Sequence, residues 1–164
     1  LGLIAFAGGM FCALIATSLF YDRLNKKQLI GALGGLLTLS CCSVVALWSL
    51  GSIDLPEESK FPVAMIVIFV FGFSISPAYY VPMSVFSVAY GGKRSGLLIN
   101  NIDICGYAAA MIFTYFGGSI AMSVGWNVLL SILLGFTVLA LVTMTSFLVL
   151  DYRALTTPPK FVPS

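Results

Sequence analysis

The chain has 164 residues, of which 60% are hydrophobic and 9% charged, with a mean hydropathy of +1.07. A soluble domain of this length cannot bury so much apolar surface, so the composition excludes that class and indicates a polytopic membrane protein. The net charge of +2 comes from short loops and gives no support for nucleic-acid binding.

Five apolar stretches are long enough to cross roughly 30 Å of hydrocarbon. Spans exposed to lipid must be helices here, because the alternation of barrel strands is absent. We therefore predict an all-α, five-helix membrane bundle over residues 3–21, 28–50, 62–90, 95–122 and 126–150. The proline-bearing segment 151–164 is predicted to be an unstructured tail. Because Leu1 opens directly in an apolar run, we expect the chain to be cut from a longer protein.

The distribution of charged residues predicts how the five spans are oriented in the membrane. Seven of the eight basic residues fall on one side of it: Arg23, Lys26, Lys27, Lys93, Arg94, Arg153 and Lys160. The other side carries Lys60 together with the acids Asp54, Glu57 and Glu58. The positive-inside bias then predicts that the chain starts outside and that its tail is cytoplasmic.

The first loop places Ser18, then Asp22 and Arg23, then Lys26 and Lys27 between two spans. A small residue lets helices approach closely, an acid can face a helix N-terminus, and the bases hold the loop at the headgroups. We interpret Asp22, Arg23, Lys26 and Lys27 as a gating loop. The alternative is a purely topogenic charge cluster, which explains the bases but not the placement of Asp22 beside Arg23.

The third span contains Pro77 and Pro82, which cannot donate hydrogen bonds to the carbonyls of Phe73 and Ala78. This predicts a kinked, interrupted helix of the kind that lines a solute cavity and bends during gating. Candidate pathway residues at this depth are Ser74, Ser76, Pro77 and Tyr80, and Tyr79 adds a further polar group. The alternative is a structural kink whose freed carbonyls are satisfied by serine hydroxyls and neighbouring helices.

The fourth span carries small and polar residues at three- and four-residue steps: Gly96, Asn100, Asp103, Tyr107, Ala110 and Thr114. This stripe is expected to face protein or water. Asp103 lies about 12 Å along the helix from its predicted cytoplasmic end. Inserting an acid at this depth costs about 2.5–3.5 kcal/mol on insertion scales. We predict that Asn100, Asp103 and Tyr107 line a substrate pathway; a structural aspartate bonded to a neighbouring helix is the alternative.

The remaining spans carry packing signals. Gly9, Ala13 and Thr17 on the first span, and Gly31 and Gly35 on the second, are predicted to make close intramolecular contacts. The second and fifth spans have little polar patterning, so outer, lipid-facing positions are expected for them. The four cysteines lie within spans and are interpreted as small packing residues: Cys12, Cys41, Cys42 and Cys105.

The first loop resembles the Gly-x-x-x-Asp-Arg-x-x-basic-basic loop of the major facilitator superfamily. Ser18 stands in place of the glycine and Asn25 in place of a frequent Gly or Arg, as in the weaker copy after the eighth helix of that fold. The resemblance implies a partial major-facilitator fold, helices eight to twelve, whose partners are the lipid bilayer, a small-molecule solute and the missing N-terminal helices. Segments 82–87, 91–96 and 103–107 are most similar to organophosphate:phosphate antiporters and sugar-phosphate exchangers. The phosphate-holding bases of that group lie on its first and seventh helices, outside this chain.

The sequence lacks the catalytic residues that the known classes of intramembrane protease require. The sequence has no histidine and no C-x-x-C, so a serine–histidine or zinc protease cannot be built and no cofactor is expected. An aspartyl protease needs two carboxylates, and Asp103 is the only acid deep in a span. We therefore expect a secondary transporter that moves a small polar or anionic solute by alternating access. A non-transporting membrane scaffold or assembly subunit is the alternative, favoured if the fourth-span stripe faces lipid or a second chain. A membrane enzyme is a third class, favoured only if further sequence supplies catalytic groups beside Asp103.

Overall fold

A computed structural model describes residues 1–20, 23–53 and 56–156, without the side chains of Glu57, Pro82 and residues 84–86, 88–90 and 154–156. Within these ranges the chain forms five long helices and no strand. They are α1 (Gly2–Phe20), α2 (Lys26–Leu50), α3 (Glu57–Gly91), α4 (Ser95–Ser123) and α5 (Trp126–Thr156). Each is long and apolar enough to cross a membrane, so the predicted all-α bundle of a multi-pass membrane protein is confirmed.

α2 and α5 extend beyond their predicted ends. α2 begins at Lys26, because Gln28 Oε1 accepts a hydrogen bond from the Asn25 N–H at 3.0 Å and closes the first turn. α5 continues to Thr156, into the segment predicted to be an unstructured tail. Lys27 Nζ lies 5.8 Å from the centre of the Tyr152 ring, a cation–π contact that ties this extension to the start of α2. Residues 157–164 of the predicted tail lie outside the described residues.

α3 differs from expectation at its start and in its middle. It begins at Glu57 and not at Pro62, and the N–H groups of Ser59 and Lys60 donate to the Pro56 carbonyl at 2.8 and 3.2 Å. The predicted interruption is absent, because one continuous helix runs through both Pro77 and Pro82. Contacts with α1, α2 and α4 support α3 on three sides. Packing of this kind lets membrane helices accommodate proline without breaking.

α3 is the centre of the bundle, and α2 lies between α3 and α5. The expectation of an outer, lipid-facing position for α2 is therefore wrong. Its residues Leu33, Leu37 and Val44 are buried. The hydroxyls of Ser40 on α2 and Ser74 on α3 lie 2.9 Å apart, and both side chains are 0% exposed.

α1 and α3 meet backbone to backbone. A methyl group built on Gly9 would collide with the Phe69 carbonyl, and one built on Gly72 would collide with the Phe6 carbonyl. The two glycines thus permit a reciprocal approach of the kind stabilised by Cα–H···O contacts. The predicted contact through Gly9 and Ala13 is confirmed, since Ala13 is buried. The matching prediction for the small-residue pattern on α2 is wrong: Gly31 and Gly35 have no neighbour within 4 Å of an added methyl.

Candidate functional site

α4 is the least covered helix of the bundle. All its residues are described, and of these only Gly117 is buried. Asn100, Ala110 and Thr114 are exposed, and Tyr107 is 72% exposed. The stripe predicted from the sequence is therefore an open face of this chain, with Asp103 half-buried along it.

Asp103 is linked to α3 by one hydrogen bond. Tyr79 Oη donates to Asp103 Oδ1 at 3.4 Å. This distance is long for an O–H···O bond, which is usually 2.5–3.0 Å. A carboxylate has about four lone-pair sites, so most of the acceptor capacity of Asp103 stays available to a further donor or a cation.

Gly106 opens the path by which Tyr79 reaches the acid. It lies about one turn after Asp103 on the same side of α4. A methyl group built on Gly106 would stand 2.5 Å from Tyr79 Oη, so any larger residue would push the hydroxyl away. The sequence named Tyr79 only as a further polar group at this depth, and it gave no role to Gly106. A glycine one turn beyond a lone intramembrane acid was the signal that could have pointed to an incoming side chain.

Tyrosines on α3 and α4 neighbour the acid, either directly or through Tyr79. The Tyr79 and Tyr80 rings meet edge to face, with centroids 5.0 Å apart at 88°. Tyr107 lies one turn beyond Asp103 on the same side of α4. We call Tyr79, Tyr80, Asp103 and Tyr107 the tyrosine–acid cluster. One carboxylate among three amphipathic rings is suited to hydrogen-bond donors and to cations, which ring faces attract.

A cavity of about 510 Å³ lies beside this cluster and is bounded by α2, α3, α4 and α5. Its walls are mostly apolar, with Leu37, Ile102, Met144 and Phe147 among them. The Thr143 hydroxyl on its wall already donates to the Leu139 carbonyl at 2.8 Å. We call this space the main cavity, and its volume lies in the range of small-molecule sites.

The other predicted pathway residues point elsewhere. Ser74 bonds Ser40 on α2, and the fully buried Ser76 Oγ has no hydrogen-bond partner in the described part of the chain. Pro77 lines a smaller cavity of about 150 Å³ between α1, α2 and α3. Tyr79 thus links two of the predicted pathway residues, Tyr80 through a ring contact and Asp103 through a hydrogen bond, whereas Ser74 and Pro77 lie toward other helices. Asn100 lies on the exposed face one turn before Asp103.

The predicted gating loop is partly described. Asp22 lies outside the described residues. Arg23, Lys26 and Lys27 are exposed at the end of the bundle where α2 and α4 begin, which also carries Lys93 and Arg94. We call this the basic end. There Lys27 contacts Tyr152 of α5, so one of the predicted gating residues joins two helices.

The cysteines do not form the packing contacts expected of them. All four are free thiols; Cys12, Cys42 and Cys105 are exposed and Cys41 is half-buried. The packing interpretation is therefore wrong for the three exposed ones, whose side chains face outward from this bundle. Within the described ranges, no three His, Cys, Asp or Glu residues form a group that could hold a metal ion.

Comparison of the chain with protein-family models, curated proteins and solved structures gives no match.

Proposed function

We propose that the chain is part of a secondary transporter that moves a small polar solute across a membrane by alternating access. Asp103 carries this proposal. It lies about 12 Å from the start of a helix of membrane-spanning length, is half-buried along an open face, and accepts one long hydrogen bond. An intramembrane acid is costly and characteristically faces a water-filled cavity or a partner group.

The resemblance to the major facilitator superfamily supplies the mechanism. Alternating access needs two bundles that move around a central site, so further helices of the same protein would complete the pathway. In the proposed orientation the basic end is cytoplasmic and Leu1 lies on the outer side. The anionic solute implied by the resemblance would need bases on those further helices, because the acid of this cluster disfavours an anion.

Uptake into proteoliposomes tests the proposal. The full-length protein is assayed with labelled sugars, sugar phosphates, amino acids and organic amines, in parallel with Asp103→Asn and Ile112→Val. We expect saturable uptake of one class, its loss in Asp103→Asn, and its retention in Ile112→Val, because Ile112 is 60% exposed and lies outside the predicted stripe. Uptake that is unchanged by Asp103→Asn would remove this residue from the pathway.

A membrane scaffold or assembly subunit is the second candidate. The exposed side chains of α4 favour it, because Met111, Tyr115 and Phe116 could be covered by a partner helix. A scaffold would show no saturable uptake of any solute class. It would also form crosslinks from α4 to one defined partner protein, which distinguishes it from a transporter that works alone.

A further inference from the structure

Charge in the middle of the described helices has one sign. Asp103 is the only Asp, Glu, Lys or Arg there that lies more than two turns from a helix end. The described cations lie in loops or in terminal turns: Arg23, Lys26, Lys27, Lys60, Lys93, Arg94 and Arg153. An anion next to Asp103 would be repelled, whereas a cation would be attracted in this weakly screened environment.

The rings around the acid favour the same sign. A cation within about 6 Å of a tyrosine ring centroid is attracted by the negative face of the ring. The Tyr79 and Tyr80 rings are in contact, and Tyr107 lies one turn beyond Asp103 on the same side of α4. Aromatic rings combined with an acid form the usual recognition chemistry for ammonium groups, including quaternary ones.

The main cavity offers room for an apolar body attached to such a group. It adjoins the tyrosine–acid cluster at Tyr79, which belongs to both, and α4 contributes Ile102 to its wall. Water is poorly held in a cavity that gives it few polar partners. A ligand with a hydrocarbon portion is therefore a better match to these walls than a fully hydrated one.

We propose that the tyrosine–acid cluster and the main cavity form one binding site for an organic cation. The ammonium group lies at Asp103 among the three tyrosines, and the apolar body of the ligand enters the cavity between α3 and α5. The assignment names a substrate class for the proposed transporter and rests on that proposed function.

Calorimetric titration of the full-length protein in nanodiscs tests the site with matched probes. Choline and 3,3-dimethyl-1-butanol have nearly the same shape but differ in charge, and benzyltrimethylammonium adds an aromatic body. We expect choline to bind about tenfold more tightly than its neutral analogue, and benzyltrimethylammonium to bind about tenfold more tightly than choline. Inorganic phosphate is the anionic control and should bind more weakly than choline.

Variants separate the two halves of the site. Asp103→Asn should lower the affinity for both cations about tenfold and leave the neutral analogue unchanged. Ala140→Phe, which narrows the main cavity, should remove only the advantage of the benzyl group. Tyr107→Leu changes an exposed side chain that folding can spare, and should weaken both cations about threefold. Ile112→Val is the control and should bind all probes as the wild type does.

Equal affinity for choline and its neutral analogue, or tighter binding of phosphate than of choline, would overturn the site. Asp103-dependent cation binding without saturable uptake would leave the site standing and contradict the transport proposal. Saturable uptake of a non-cationic solute, with no cation binding, would overturn the cation site and leave the transport proposal standing.

Discussion

Tyr79 Oη on α3 donates a hydrogen bond to Asp103 Oδ1 on α4, 3.4 Å away. The contact joins the central helix of the bundle to its least covered helix. It passes over Gly106, where an added methyl group would lie 2.5 Å from the tyrosine hydroxyl. The hydrogen bond between Tyr79 and Asp103 therefore requires a residue without a side chain at position 106.

Gly106→Ala should displace the Tyr79 hydroxyl and break its bond to Asp103. The expected loss of unfolding free energy is about 0.5–1.5 kcal/mol, because a flexible side-chain end can move aside. In the Tyr79→Phe background the same change should cost little, because the clashing oxygen is gone. A double-mutant cycle by chemical unfolding measures this coupling. Gly118→Ala is the control, since its methyl group would meet nothing within 4 Å. If Gly118→Ala lowered the unfolding free energy as much as Gly106→Ala does, the steric account would be disproved.

Gly9→Ala and Gly72→Ala should each destabilise the bundle by about 1–3 kcal/mol, as overpacking does. Their added methyl groups would press on the backbone carbonyls of Phe69 and Phe6, which cannot rotate away as a side chain can. Gly31→Ala and Gly35→Ala are matched controls in open surroundings and should be neutral or slightly stabilising. Thermal unfolding of the four variants gives the comparison, and equal midpoints for all four would show that α1 and α3 do not pack closely.

The Ser40–Ser74 pair should contribute about 0.6 kcal/mol of coupling, typical of hydrogen bonds between membrane helices. Ser74 Oγ also donates to the Phe71 carbonyl at 3.1 Å, so Ser40 acts as the donor within the pair. Ser40→Ala, Ser74→Ala and the double variant form the cycle. Ser131→Ala removes a hydroxyl that donates to Asn127 within its own helix at 2.8 Å, and it should show no coupling to Ser74. Strictly additive effects at residues 40 and 74 would mean that the pair contributes nothing.

Orientation is tested by single cysteines at two exposed positions, in a background with the native cysteines replaced. Glu58→Cys at the start of α3 and Arg94→Cys at the basic end should react with an impermeant thiol reagent from opposite sides of the membrane, Glu58→Cys from outside. Reaction of both from one side would contradict the five-span path.

Apolar length alone was enough to predict the five spans, because each crossing demands about 20 apolar residues. The partners of individual residues could not be predicted in the same way. Gly9 and Gly31 begin similar small-residue patterns, yet Gly9 contacts the α3 backbone and Gly31 faces open space. Such a pattern permits a close approach, but the position of the neighbouring helix decides whether one occurs.

Helix packing also explains why the predicted pathway residues on α3 contact different neighbouring helices. Successive residues turn by about 100° around a helix, so Ser74 and Tyr79 lie on different faces although they are close in sequence. Ser74 meets α2 and Tyr79 meets α4. The position of a residue along its span follows from the sequence, whereas the face on which it lies is decided by the packing of the helices around it.

Water access to the α4 face tests the central claim most directly, and it needs no knowledge of the solute. Tyr107→Cys and Ile112→Cys are made in the full-length protein with the native cysteines replaced. A membrane-impermeant cationic thiol reagent is then applied from each side in turn. The transporter account predicts that Tyr107→Cys reacts from both sides, because the pathway opens alternately, while Ile112→Cys stays unreactive in lipid. Failure of Tyr107→Cys to react from either side would contradict a solute pathway along this helix.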